Sequence, residues 1–195
     1  MRNASCASAV VLLLFTAACG GQEQPVTASS NRPVHAPRYF DVNGFIGQQA
    51  ARLNQQRPAV EKQVQLRTGG LETTRVPQVD WTKELQIFQQ ADINKPALRG
   101  TYAIDSLTTP EGLTKRTYLR LPGQEFPVEQ LTVITQGPAV QALTATLAQD
   151  NPLVYSQKKL ELQCRNGQVV SYRVDGTQKL VLFDTVRYSA AGKVL

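Results

Sequence analysis

After Arg99 the chain alternates apolar and polar residues in short runs, and the pieces joining those runs are too short to hold a helix. Parallel neighbours need a crossover of a dozen or more residues, so short strands joined in order here favour an antiparallel meander over a parallel α/β sheet. Tyr102, Ile104 and Ser106 begin one strand and Thr109-Pro110-Glu111-Gly112 supplies a turn. Thr117, Leu119 and Leu121 then alternate with Tyr118 and Arg120, and Leu131 and Val133 continue the series after Pro127. Leu160, Leu162 and Cys164 share one strand face, Asn166-Gly167 makes a tight turn, and Val170, Tyr172 and Val174 return. Asp175-Gly176 reads as a further turn, followed by Leu180, Leu182, Val186 and Tyr188 on one parity. Residues 139–149 fit a helix with a Val140, Leu143 and Leu147 stripe, or a strand with Leu143, Ala145 and Leu147 on one face. The flanking strands and the turn-forming Asp150-Asn151-Pro152 favour strand.

Ahead of this region the period changes. Phe40, Ile46, Ala50 and Leu53, interleaved with Gln48, Gln49, Arg52 and Gln55, predict an amphipathic helix ending before Pro58. Asp80 is an N-cap candidate for a second helix to about Asp92, with Trp81, Leu85 and Phe88 inward and Lys83, Glu84, Gln86 and Gln89 in water. Between them, Val60 to Leu66, Thr68-Gly69-Gly70 and Leu71 to Val76 read as a hairpin. The expected fold class is α+β: an antiparallel β-meander or curved sheet packed against two N-terminal-side helices, as one β-rich domain over residues 39–195. Its expected core includes Trp81, Leu85, Phe88, Leu160, Leu162 and Cys164.

The N-terminus carries Arg2, an apolar stretch from Ala9 to Phe15, and the small residues Ala17 and Ala18 directly before Cys19. That stretch is far short of the roughly 20 residues of a spanning helix and reads as a signal peptide over residues 1–18. Phe15-Thr16-Ala17-Ala18-Cys19 resembles the lipobox of a bacterial lipoprotein, with Thr16 where Leu is usual. The resemblance implies cleavage before Cys19 and acylation of Cys19, palmitate included. Residues 19–38, rich in Gly, Pro, Ser, Asn and Gln, then form a lipid-anchored flexible tether in which His35, the one histidine, is a solvated spacer. Tyr39-Phe40-Asp41, the stretch DW-x-KEL-x-x-F-x-x-ADINKPA from Asp80 to Ala97 and YRVDGTQK from Tyr172 to Lys179 resemble an uncharacterised family of Bacteroidota lipoproteins. That likeness implies a membrane-anchored protein of the cell envelope and transfers no activity. Gly20-Gly21-Gln22-Glu23-Gln24 holds one acid where surface-exported lipoproteins of that phylum carry an acidic run, so the outer membrane, facing the periplasm, is the expected location.

With Cys19 lipidated, Cys164 has no internal disulfide partner in the processed chain, so stability must come from an apolar core. The net charge of +6 over 195 residues is dispersed, with Lys115-Arg116 and Lys158-Lys159 as short pairs on expected solvated sheet edges; no nucleic-acid partner is expected. A nucleophilic Cys164 lacks a base, because His35 is far off in the tether. Ser156-Gln157-Lys158-Lys159 has S-x-x-K spacing without the companion SDN and KTG elements of the serine acyl-transfer families. Asp80 and Glu84 are four apart on a helix, but the first is a cap and the second an ordinary surface acid. No catalytic residue, cofactor or metal site is therefore expected. The expected role is a non-catalytic envelope lipoprotein binding a protein or a hydrophobic ligand; a structural or assembly accessory and an envelope hydrolase are the alternatives.

Overall fold

The structure, a computed structural model, describes residues 39–66 and 69–195. The signal peptide, Cys19, His35 and the tether expected from the sequence lie outside the described residues.

The first helix, α1 (Val42–Gln56), starts where the Asp41 carboxylate accepts the Gly44 N–H at 2.8 Å. Val42, Ile46, Ala50 and Leu53 form its buried stripe, while Phe40 sits before the helix instead of on it. Arg57 closes the helix in the left-handed region at φ 50°, its N–H donating to Leu53 O, just ahead of Pro58. The second helical segment opens as α2 (Trp81–Leu85) and tightens to a 3₁₀ helix over Gln86–Ala91. Three residues per turn align Leu85, Phe88 and Ala91, and all three are fully buried along with Trp81.

Nine strands follow one pattern: β1 (Val60–Leu66), β2 (Glu72–Val76), β3 (Tyr102–Thr108), β4 (Leu113–Arg120), β5 (Val128–Gln136), β6 (Ala139–Asp150), β7 (Val154–Arg165), β8 (Gln168–Leu180) and β9 (Val186–Val194). They make one open, antiparallel sheet in the order β2-β1-β9-β8-β7-β6-β5-β4-β3. Strands β3 to β9 are a plain meander, and the β1–β2 hairpin adds beside β9. Residues 139–149 are strand. The helices cover one face, where they meet Leu131, Leu143, Leu160 and Leu162.

Three local expectations fail for identifiable reasons. Asp175-Gly176 is not a turn: β8 runs through it to Leu180, and the chain turns over residues 181–185 instead, so Leu182 is not on a strand. A bulge between Gln163 and Cys164 shifts the register, burying Val169 in place of Val170. Lys158-Lys159 lies on the central strand of the nine and Lys115-Arg116 on the strand next to the β3 edge, so neither pair is on an edge.

The helix-covered face has two crossings that only glycine permits. The Tyr172 ring lies over Gly192 and the Tyr188 ring over Gly176, each occupying the space of a β-carbon. Pairing completes two rows, Tyr172–Gly192–Lys62 across β8, β9 and β1, and Tyr188–Gly176–Lys158 across β9, β8 and β7. Each lysine ends against the helical segment, Lys62 on Glu84 and Lys158 on Gln90.

Trp81 is fully buried, and its indole N–H has no hydrogen-bond partner among the described residues. Trp81→Ala should cost about 3–5 kcal/mol in chemical denaturation. Trp81→Phe should cost clearly less, because it keeps a ring in place and removes an unpaired buried donor.

Candidate functional site

Glu84 looks in sequence like a wet helix-surface acid, and the structure corrects that. Helix α2 presents it to the sheet at the Tyr172–Gly192–Lys62 row, where Oε2 meets Lys62 Nζ at 2.5 Å and Oε1 accepts the Tyr172 hydroxyl. The Phe88 and Tyr172 rings meet edge to face at 6.1 Å. Burial first, then the Glu84 carboxylate beside it, holds the Tyr172 phenol far above its usual range, so it stays a donor. Both Glu84 oxygens are thus engaged, which makes the cluster a polar joint between helix, hairpin and meander. Asp80 is not part of it: its carboxylate accepts the Thr82 and Lys83 N–H groups at 3.1 and 3.3 Å, and these bonds hold it below the usual carboxylate range.

Gln49 is a second polar residue whose role the sequence conceals. It is buried on α1, donating to Gly167 O at 2.9 Å and accepting the Val169 N–H at 3.0 Å, which fixes the helix to the β7–β8 turn. Asp92, also buried, accepts from Asn43 Nδ2 at 2.9 Å and from the Asn94 N–H at 3.3 Å, and burial raises its carboxyl above the usual value.

The sheet face away from the helices carries two open hollows of about 570 Å³ each, which meet at Arg173. Their charged side chains alternate along the strands. Lys159 pairs with Glu161 at 2.6 Å, Arg173 pairs with Asp175 at 2.8 Å, and Arg173 also donates to Ser189 Oγ at 3.1 Å. Arg187 and Lys193 extend the basic side on β9, and Glu61 and Gln63 continue the face onto β1. These charged residues are half-exposed or exposed, and two pairs among them, Lys159–Glu161 and Arg173–Asp175, are joined, so the surface can form many weak polar contacts with an extended or flat partner.

Leu160 and Leu162 are fully buried in the face opposite these hollows. Cys164 is half-buried against the same core, and desolvation pushes its thiol up to about 11. The S-x-x-K pair cannot meet: three residues apart on β7, Ser156 and Lys159 point to opposite faces. Lys158 instead reaches the helical segment, bonding Gln90 Oε1 at 2.9 Å, and burial lowers its pKa. Among the described residues no group of three or more His, Cys, Asp or Glu converges as metal ligands, and no helix is long and apolar enough to cross a membrane.

No protein-family model, curated relative or solved structure matches the chain.

A thiol held near 11 is almost wholly protonated at neutral pH, and only the thiolate attacks. Labelling of Cys164 in the native protein by a thiol-specific reagent should therefore be slow at pH 7 and accelerate about tenfold per pH unit toward pH 10. Fast, pH-independent labelling at neutrality would show an exposed, activated thiol.

Proposed function

We propose that this chain is a non-catalytic lipoprotein of the cell envelope, anchored through Cys19 in the outer membrane and facing the periplasm, whose sheet domain binds a protein. The observation that carries the binding half is the charged, open double hollow across β1 and β6 to β9. An apolar ligand needs a dry enclosed pocket, and these hollows are lined by Lys159, Glu161, Arg173, Asp175 and Arg187. The space between helices and sheet, where a hydrophobic ligand would lie in an open sheet of this kind, is filled by Trp81, Phe88, Leu131, Leu143 and Leu160. A protein surface of alternating charge suits the paired ladder on β7 and β8, gaining specificity and encounter rate from charge complementarity more than affinity from buried area.

The anchoring half rests on the lipobox-like sequence before Cys19. Two or more acyl chains give stable attachment where one gives only marginal binding.

Photo-crosslinking in the native cell tests both halves. A photoreactive residue at Gln157 or Gln163, on the outer face, should capture one defined envelope protein, and the same residue at the exposed Lys83 of the helical layer should not. Arg173→Glu should reduce that capture while leaving the unfolding midpoint nearly unchanged, since the pair it breaks is exposed. Cys19→Ser should move the protein out of the membrane fraction. Equal capture from both layers, or co-purification of a stoichiometric lipid in the folded domain, would contradict the protein-binding reading.

A further inference from the structure

The two ends of the sheet differ in a way that the fold does not require. Strand pairing places four turns at one end: those joining β1 to β2, β4 to β5, β6 to β7 and β8 to β9. Each carries an exposed leucine, Leu71 at 60%, Leu121 at 39%, Leu153 at 70% and Leu182 at 97% exposure. Phe183, at 70%, and Val181 stand beside Leu182. The turns at the other end, Thr109 to Gly112, Gly137-Pro138 and Asn166-Gly167, carry no exposed large apolar side chain. The exposed apolar residues near that end, Leu107 and Leu195, lie on or just beyond strand ends.

The apolar end is also built, not frayed. The Val181 N–H donates to Leu153 O at 3.1 Å, joining the two most apolar turns into one tip. Asn151 Oδ1 accepts the Leu153 and Val154 N–H groups at 3.0 and 2.9 Å. Leu182 stands at φ 72°, a conformation that a branched apolar residue adopts rarely. Water gains nothing from a leucine held there, and one narrow tip with two further leucines on separate turns gives a protein partner no continuous flat patch.

We propose that this end of the sheet rests in the interfacial layer of a phospholipid bilayer, with Leu153, Leu182 and Phe183 inserted. The choice of a lipid surface follows from where the chain enters the domain, and it rests on the anchoring proposed above. The Tyr39 hydroxyl oxygen accepts the N–H groups of Gly100 and Tyr102 at 2.8 and 3.3 Å, at the start of β3, which lies at the apolar end. A lipid on Cys19 would therefore reach the domain from the side that carries the leucines. The intervening twenty or so residues span up to roughly 60–70 Å when extended, ample slack for the tip to sit on the same surface. Around the tip, Asp150 and the turn residue Asp184 offset Lys179 and Arg187, so insertion is driven by apolar burial rather than by charge.

The full chain in its own membranes tests this, with a photoreactive diazirine residue at position 182 or 153 and, as controls, at position 111 or 166 at the opposite end. Mass spectrometry of the labelled peptides should find phospholipid adducts at 182 and 153 at about ten times the yield at 111 and 166. The yield should change little between low and high salt. Leu153→Glu should suppress the adduct at 182 without changing the unfolding midpoint, because its side chain is exposed. The mass of the N-terminal peptide from the same samples reports the anchor independently. A lipidated Cys19 with no excess of lipid adducts at 182 overturns the inserted tip and leaves the anchor standing, whereas lipid adducts at 182 with an unmodified Cys19 do the reverse. Adducts at 182 to a protein in place of lipid also overturn it.

Discussion

The crossing of the Tyr172 ring over Gly192 is the contact on which the assembly of the layers depends. A sheet face built from β8 and β9 alone would leave the ring standing, but a glycine opposite lets it lie flat toward β1. There its hydroxyl and Lys62 meet one carboxylate, Glu84, delivered from the helical segment. One residue of the meander thereby touches the hairpin's neighbour strand, the 3₁₀ helix through Phe88 and the α2 helix through Glu84. The burial of Trp81, Leu85 and Phe88, together with Val42, Ile46 and Leu53 of α1, stabilises the packing of the layers at about 25 cal/mol per Å² of apolar surface. The polar joint adds direction: an apolar stripe alone can slide, and a shared carboxylate fixes where it stops.

The same arrangement recurs two rows away, beyond the Val174–Ala190 pair, where Tyr188 crosses Gly176 toward Lys158 and Gln90. The two rows run in opposite senses across the β8–β9 pair, and both ends of the helical segment are thereby attached to the sheet. With the polar groups of the inner face spent on this attachment, the outer face and the sheet's apolar end remain for contact with the surroundings. The outer face offers paired charges over a broad area, and the apolar end offers protruding leucines. These are different chemistries, and they divide the proposed work into protein recognition on the face and lipid contact at the end.

The antiparallel sheet was legible because its evidence is local: alternation of period two, short turns and no room for crossovers. The second helix was legible because Asp80 and the Trp81, Leu85 and Phe88 spacing are local as well. What escaped the sequence is set by partners far along the chain. Glu84 and Gln49 have the composition of surface residues, and their partners lie 88 residues away at Tyr172 and 120 residues away at Val169. Asp175-Gly176 has the composition of a turn, yet Gly176 is needed under a ring from the neighbouring strand, which no local pattern reveals. The bulge at Gln163 and Cys164 reversed the parity of Val169 and Val170 for the same reason. The leucines of the apolar end were visible singly and became a feature only when topology gathered four turns at one end of the sheet.

Hydrogen exchange on the Gly192→Ala variant tests the central joint most directly. The added methyl group must displace the Tyr172 ring, whose hydroxyl would then leave Glu84. Global stability should fall by about 1–3 kcal/mol, with protection falling first in residues 81–91 and 60–66, well before the β5 to β7 core. Unchanged stability, or a loss of protection confined to β8 and β9 with the helical segment as protected as before, would contradict the role of that joint.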